Sequence, residues 1–290
     1  MEQNRSTEKN AVIGGTLYLV ATPIGNMSDI SERAVKVLSE VDFVAAEDTR
    51  NSGLLLSRLG ISKPMVSYFE HNKHERGALI AERLKGGESC ALVTDAGTPA
   101  VSDPGEDIVR LCAEEGIPVT SIPGPAACIT ALTLSALSTR RFVFEGFLPT
   151  DKKERRERLE ALSKEERTLI VYEAPHRLRA TLSELYKALG DRKISLCREL
   201  TKLNEEVERT TLSGAVSIYS EKEPRGEYVL VIEGKKYARA EDYPEDILEH
   251  VAMYTSLGER KMDAIKAAAR DRGISKGEAY DMVLEAEKNL

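Results

Sequence analysis

Several short segments place ionisable, small or turn-forming residues directly behind apolar runs, the position at which open α/β sheets bind ligands. The longest is Leu92 to Gly105, LVTDAGTPAVSDPG, where an apolar strand breaks at Asp95 into small, polar and turn-forming residues. Gly97, Thr98 and Pro99 allow a tight turn close to a ligand, and Asp103 followed by Pro104 offers an N-cap and a first helical residue. Glu47-Asp48-Thr49-Arg50 sets three ionisable side chains behind another apolar run. Such a group is costly unless it acts on something, and a solvated loop is the plainer alternative. Tyr172-Glu173-Ala174-Pro175-His176-Arg177 and Cys197-Arg198-Glu199-Leu200-Thr201-Lys202 repeat the design. Carboxylates beside cations can remove a proton and hold developing charge. Taken singly, His176 reads as a helix-start residue, and Glu173 or Glu199 as an ion-pair partner. Thr22-Pro23-Ile24-Gly25-Asn26 is either a ligand loop or an ordinary turn. Ile122-Pro123-Gly124-Pro125-Ala126-Ala127 is either a stiffened turn or a surface that admits a flat ligand to the backbone. None of these is the G-x-G-x-x-G fingerprint, so NAD and FAD are disfavoured.

The elements that must position these loops alternate through the first half. Strands are expected over 17–20, 43–46, 65–68, 91–94 and 119–122, with helices between them and a closing helix over 126–137. That alternation predicts a parallel sheet with helices on both faces. Ser138-Thr139-Arg140-Arg141 marks a boundary. Strands near 142–145, 168–172, 194–197, 207–211 and 228–233 follow, with helices over 152–162 and 176–189. The short step from Cys197 to Val207 implies an antiparallel pair, hence a mixed sheet. Two serine-to-glutamate capping boxes, 256–259 and 275–278, flank an Ala-rich helix ending at Gly273 and outline a helix-turn-helix. The expected organisation is a disordered tail over 1–13, α/β domains over 14–138 and 139–238, and a helical module over 243–290.

A chain of 290 residues with a formal net charge of -7 leaves room for two cores and excludes a surface that is basic everywhere, though not a local basic groove. The apolar stretch from Val12 to Ile24 is too short and interrupted to span a bilayer, so a cytoplasmic protein without membrane contact is expected. Cys90, Cys112, Cys128 and Cys197 are unpaired in spacing and read as small buried hydrophobes; no metal site is expected.

Together, ATPIGN, AAEDTR, DAGTPAVSDPG, IPGPAA, FEGFLP, YEAPHR, CRELTK and RGEYVLVIEG resemble the ribosomal RNA small subunit methyltransferase I family, within the S-adenosylmethionine methyltransferases that include the tetrapyrrole (precorrin) methylases. The resemblance runs from about Gly15 to Gly234 and more loosely beyond. It implies two α/β domains with S-adenosylmethionine held in the cleft between them. It also implies methylation of the ribose 2′-hydroxyl of a cytidine in the decoding region of 16S rRNA, within the small ribosomal subunit, by a homodimer. Carried over by position, Pro23, Gly97, Thr98, Val101, Ser102, Ala126, Ala127, Tyr172, Glu199 and Tyr228 match cofactor-binding positions. Gly97-Thr98-Pro99 departs from the Gly-Asp-Pro of the wider class, so either Asp95 supplies the missing carboxylate or the cofactor is held differently.

Methyl transfer to a hydroxyl needs oxygen, methyl and sulfur in line and a group to relieve the hydroxyl of its proton. Residue type and loop position suggest a carboxylate from Glu47 or Asp48 near the hydroxyl, with Arg50, Arg198 or Lys202 holding charge or a phosphate. For RNA contact the candidates are Arg140, Arg141, Lys152, Lys153, Arg155, Arg156, His176 and Arg177. The alternative for the 152–158 cluster is a solvated helix paired with its own acidic residues. The basic bias of the C-terminal helices suits either RNA or ribosomal-protein contact, or a packing appendage. Two other functions stay open: a tetrapyrrole methyltransferase, which would need a wide apolar cleft, and a non-enzymatic RNA binder.

Overall fold

The computed structural model describes residues 11–236 and 243–288. Two compact units divide the chain at Gly234. The larger holds two sheets. In the first, β1 (Leu17–Val20), β2 (Phe43–Ala46), β3 (Met65–Ser67), β4 (Cys90–Val93) and β5 (Val119–Ile122) pair in parallel in the order β3-β2-β4-β1-β5. The central strands Phe-Val-Ala-Ala and Cys-Ala-Leu-Val are buried at every position, which is why they read as unbroken apolar runs. The crossover helices are α1 (Glu32–Glu40), α2 (Thr49–Arg58), α3 (Lys73–Lys85) and α4 (Gly105–Glu114). They make a core on each face of the sheet, one around Phe43, Tyr68 and Ile80, the other around Val20, Leu38 and Val44.

The second sheet contains β6 (Phe142–Phe147), β7 (Thr168–Glu173), β8 (Lys193–Arg198), β9 (Glu206–Thr211) and β10 (Tyr228–Ile232), in the order β6-β7-β10-β8-β9. Only β6 and β7 pair in parallel; β10 runs antiparallel to both β7 and β8, and β8 and β9 form the expected antiparallel pair. One face carries α6 (Lys152–Ser163), α7 (Pro175–Leu189) and α8 (Leu212–Glu221), around a core that includes Leu162, Leu182, Leu212 and Tyr219. The other face packs against α5 (Ala127–Leu134), so the last helix of the first half shares a core with the second sheet through Cys128, Ala131, Leu132, Ile170 and Val231. That shared core welds the two halves into one compact unit.

The smaller unit contains α9 (Ile247–Ser256), α10 (Lys261–Arg272) and α11 (Lys276–Lys288) around Val251, Tyr254, Ile265, Ala268 and Val283. Gly273 ends α10 in the left-handed conformation, and Ser275 Oγ accepts from Glu278 N at 3.2 Å, as a capping serine should. Ser256 is different. It closes α9, its hydroxyl bonded back to Met253 O at 2.7 Å, so the first capping box marks a helix exit and not a start.

The expected tail over 1–13 lies outside the described residues up to residue 10. Its last residues are anchored, Val12 against the core around Val20, Leu38 and Val44 and Ile13 N on the Tyr18 hydroxyl at 2.8 Å. The end of the second expected domain also falls partly outside, as do the last two residues of the chain. All four cysteines are free and buried, and the described residues hold no cluster of metal-ligating side chains. No described helix is long and apolar enough to cross a membrane.

Candidate active site

The carboxyl ends of the first sheet's strands meet one edge of the second sheet. Because β10 is antiparallel, its first residue, Tyr228, lies beside Glu173 and Arg198 at the ends of β7 and β8. A cavity of about 400 Å³ opens between the two edges.

Its first wall is three loops stitched together. Thr22 and Gly97 exchange two backbone hydrogen bonds, at 2.9 and 3.1 Å, joining the loops after β1 and β4. Thr98 Oγ1 donates to Pro125 O at 2.9 Å, joining the loop after β4 to that after β5. Gly97 sits at φ +87°, where a side chain would be strained and its Cβ would press on Ile24. Farther along, Asp103 accepts from Ala100 N and Gly105 N at 2.9 and 2.7 Å and holds a turn in which Ala100 and Ser102 both have positive φ. Pro104 itself takes the cap position, one residue later than the sequence suggests.

Glu47 follows β2 and lines the cavity beside Thr94 and Asp95, which follow the neighbouring β4. The Thr94 hydroxyl donates to Glu47 Oε2 at 2.9 Å. The next residue behaves differently. Asp48 caps α2 by accepting from Arg50 N at 2.8 Å and also receives the Arg50 guanidinium; those hydrogen bonds hold its carboxyl down at about 2. Neither Asp48 nor Arg50 lines the cavity.

The second wall is aromatic and acidic. Tyr172 accepts from Cys128 N at 3.1 Å, and burial pushes its hydroxyl well above the ordinary tyrosine value. Glu173 is 2% exposed and its carboxylate is fully engaged: Ala174 N donates at 2.9 Å, Arg177 Nε lies at 3.3 Å, and Thr181 Oγ1 donates to the other oxygen at 2.5 Å. Arg155 extends the network, donating to Thr181 Oγ1 at 2.7 Å and to Glu184 at 2.6 Å.

Of the residues expected around a cofactor, Asp95, Gly97, Thr98, Val101, Ser102, Ala126, Ala127, Tyr172 and Tyr228 line this cavity, whereas Pro23 and Glu199 do not. Arg198 and Glu199 lie in an adjoining depression with Lys222 and Arg225. There Arg198 pairs with Glu206 at 3.0 Å, and Lys202 bridges Glu199 and Glu227 at 2.9 and 3.0 Å. Arg140, Arg141, Lys152, Lys153, Arg156 and His176 are exposed. Arg155 is not free for RNA, since its side chain is 12% exposed and bound to Glu184. Arg177 is held by Glu173 and by Leu148 O at 2.9 Å. The sequence reading left Thr94, Cys128, Phe147 and Cys197 out of the site. Thr94 follows β4, Phe147 ends β6, Cys197 is the last residue but one of β8, and Cys128 lies in the first turn of α5.

Among the described residues, the cavity's lining contains the acidic side chains Glu47, Asp95, Asp103, Glu173 and Glu227 and not one lysine, arginine or histidine. Glu173 and Glu227 are paired with Arg177 and Lys202, so Glu47, Asp95 and Asp103 are the carboxylates that favour a ligand carrying positive charge.

Two α/β halves joined over such a cleft define a class, and the family model for tetrapyrrole (corrin/porphyrin) methylases matches residues 16–216. Among solved structures, a uroporphyrin-III C-methyltransferase from Thermus thermophilus complexed with S-adenosyl homocysteine superposes with a TM-score of 0.55 at 18% identity, over 75% of this chain and 97% of that one. That likeness establishes the fold. Closer in sequence, a protein from Synechocystis named ribosomal RNA small subunit methyltransferase I is 45% identical over 278 residues, 94% of this chain and 99% of its own. The protein of the same name from Escherichia coli O157:H7 is 42% identical over 99% of this chain and its whole length. The chain belongs to the ribosomal RNA small subunit methyltransferase I family.

Proposed function

We propose that this chain transfers the methyl group of S-adenosylmethionine to the ribose 2′-hydroxyl of a cytidine in the decoding region of 16S rRNA, acting on the small ribosomal subunit. The observation that carries the reading is the Glu47 carboxylate, oriented by Thr94, on a cavity whose lining carries carboxylates and no lysine, arginine or histidine. The size is right for a ligand of this kind, since such sites run from roughly 300 to 1,000 Å³. The small residues Gly97, Ala126 and Ala127 leave room for a flat ring against backbone, and the carboxylates suit a sulfonium and an ammonium group. An acidic lining opposes a polycarboxylate acceptor such as a uroporphyrin. Asp95 and the stitched loops would hold the cofactor, with Thr98 bracing the wall through Pro125.

The cofactor supplies an electrophilic methyl whose sulfur leaves with the bonding electron pair. Glu47 would accept the proton of the 2′-hydroxyl, and the loops at the two strand ends would bind and orient the ribose and the methyl donor. Asp48 serves the α2 cap, so the base is assigned to Glu47. Exposed Arg140, Arg141, Lys152, Lys153 and Arg156 would meet phosphates outside the acidic cavity. The same reading carries a homodimer and a cytoplasmic setting, the first open to analytical ultracentrifugation.

Labelled S-adenosylmethionine offered with unmethylated 30S subunits, bare 16S rRNA or a precorrin tests the assignment. Incorporation into 30S subunits supports it. Incorporation into the precorrin alone overturns it.

A further inference from the structure

We propose that Phe147 is a stacking platform for an unstacked nucleobase of the RNA acceptor, aimed into the cleft by a bulge in β6. Side chains alternate faces along a strand, so Phe144 and Phe147, three residues apart, should point to opposite sides. They do not. The register between β6 and β7 shifts between Phe144 and Gly146: Phe144 lies opposite Ile170, and Phe147 lies opposite Tyr172. Gly146, at φ +66°, supplies the left-handed backbone that the extra residue requires. Residues on either side of the bulge confirm the inversion. Val143 and Leu148, five apart, both join the core under α6 and α7, while Phe144 joins the core on the other face with Tyr172. The outcome is an aromatic trio. Tyr172 packs edge-to-face with Phe144 at 5.0 Å and with Phe147 at 5.7 Å between ring centroids.

Phe144 is partly buried, but Phe147 is 51% exposed and lines the cavity. A half-exposed phenyl ring beside an acidic cavity brings no charge and no hydrogen bond to a reaction. What it offers is a half-exposed π-face on the cavity's lining, packed edge-to-face against Tyr172. Bases of single-stranded or flipped-out RNA are held by stacking on such rings.

The proposal rests on the RNA-methyltransferase reading, and its test separates the two. Initial rates of methyl incorporation into unmethylated 30S subunits are measured for wild type, F147A, F147L and F147W, with the dissociation constant for S-adenosylhomocysteine measured calorimetrically on each. F147A is expected to lower kcat/KM for 30S subunits about tenfold, the order of one lost base-stacking contact, with S-adenosylhomocysteine affinity and thermal unfolding unchanged. F147W should retain wild-type rates, and F147L should resemble F147A. Three outcomes overturn it: kcat/KM unchanged in F147A, a loss confined to S-adenosylhomocysteine affinity, or full activity in F147L, which would make the ring mere apolar cover. A wild-type protein inert on 30S subunits removes the underlying reading, and this proposal with it.

Discussion

The Thr94 hydroxyl donates a 2.9 Å hydrogen bond to Oε2 of Glu47, linking the ends of two adjacent parallel strands. It fixes one carboxylate oxygen and leaves the other for a substrate proton. E47Q, which keeps the shape but cannot act as a base, should lower kcat by roughly 10² to 10⁴ while S-adenosylhomocysteine still binds. T94V should lower kcat about tenfold, in line with a lost hydrogen bond to a charged group, and T94S should recover most of it. Single-turnover methylation of 30S subunits reads both, and full turnover by E47Q would remove Glu47 from the chemistry.

Glu173 lies on the same cavity but serves the fold. With its carboxylate buried and contacted by Ala174 N, Arg177 and Thr181, E173A would leave Arg177 without its buried partner. Breaking a buried pair from one side costs about 3–5 kcal/mol. Urea unfolding should show that loss, with E173Q milder because its amide carbonyl can still accept from Ala174 N or Thr181.

The basic cluster on α6 divides by burial. K152A/R156A removes exposed charge and should raise KM for 30S subunits and flatten its dependence on salt, with stability unchanged. R155A should do the reverse, lowering the unfolding midpoint because it strips Thr181 and Glu184 of their partner. Equal behaviour of the two variants in both assays would contradict the division.

In the helical unit, His250 is fully buried, faced by Asp271 at 3.2 Å, by Arg272 Nε on its Nδ1 at 3.1 Å, and by the rings of Tyr243 and Tyr254. Burial holds its pKa below the ordinary 6.5, against the pull of Asp271. The folded unit therefore prefers the neutral ring, whose contribution is present above the unfolded pKa and is lost as pH falls through the folded one. Hydrogen exchange of residues 247–288 in the full chain, corrected for intrinsic rates, should show protection falling as pH drops below 6.5. In H250Q that histidine step should vanish; its persistence would assign it to another group.

Much of the fold was legible because burial imposes simple patterns. β2, β4 and β10 are buried on both faces and read as apolar runs, and the short β8-to-β9 step announced the antiparallel pair. What escaped depended on single backbone angles or on partners distant in sequence. The bulge at Gly146 hid inside FVFEGF, so β6 seemed to end at Glu145 and Phe147 was overlooked. Leu212–Glu221 is a helix despite its Ser, Gly and Val content, because tertiary packing of Leu212, Ala215 and Tyr219 overrides weak propensity. The 256–259 box failed because Gly258, at φ +90°, turns the chain out of α9. Near the cleft, loop position drew notice to Glu47 and Asp95, and both line the cavity. It could not tell that Asp48, Arg198 and Lys202 are engaged by Arg50, Glu206 and the Glu199–Glu227 pair.

The most direct measurement is nucleoside mass spectrometry of 16S rRNA after unmethylated 30S subunits are incubated with the purified protein and S-adenosylmethionine. One 2′-O-methylcytidine per subunit is expected, within the decoding region, and none with E47Q. Methyl groups found on a base, on another ribose, or not at all would contradict the proposed activity.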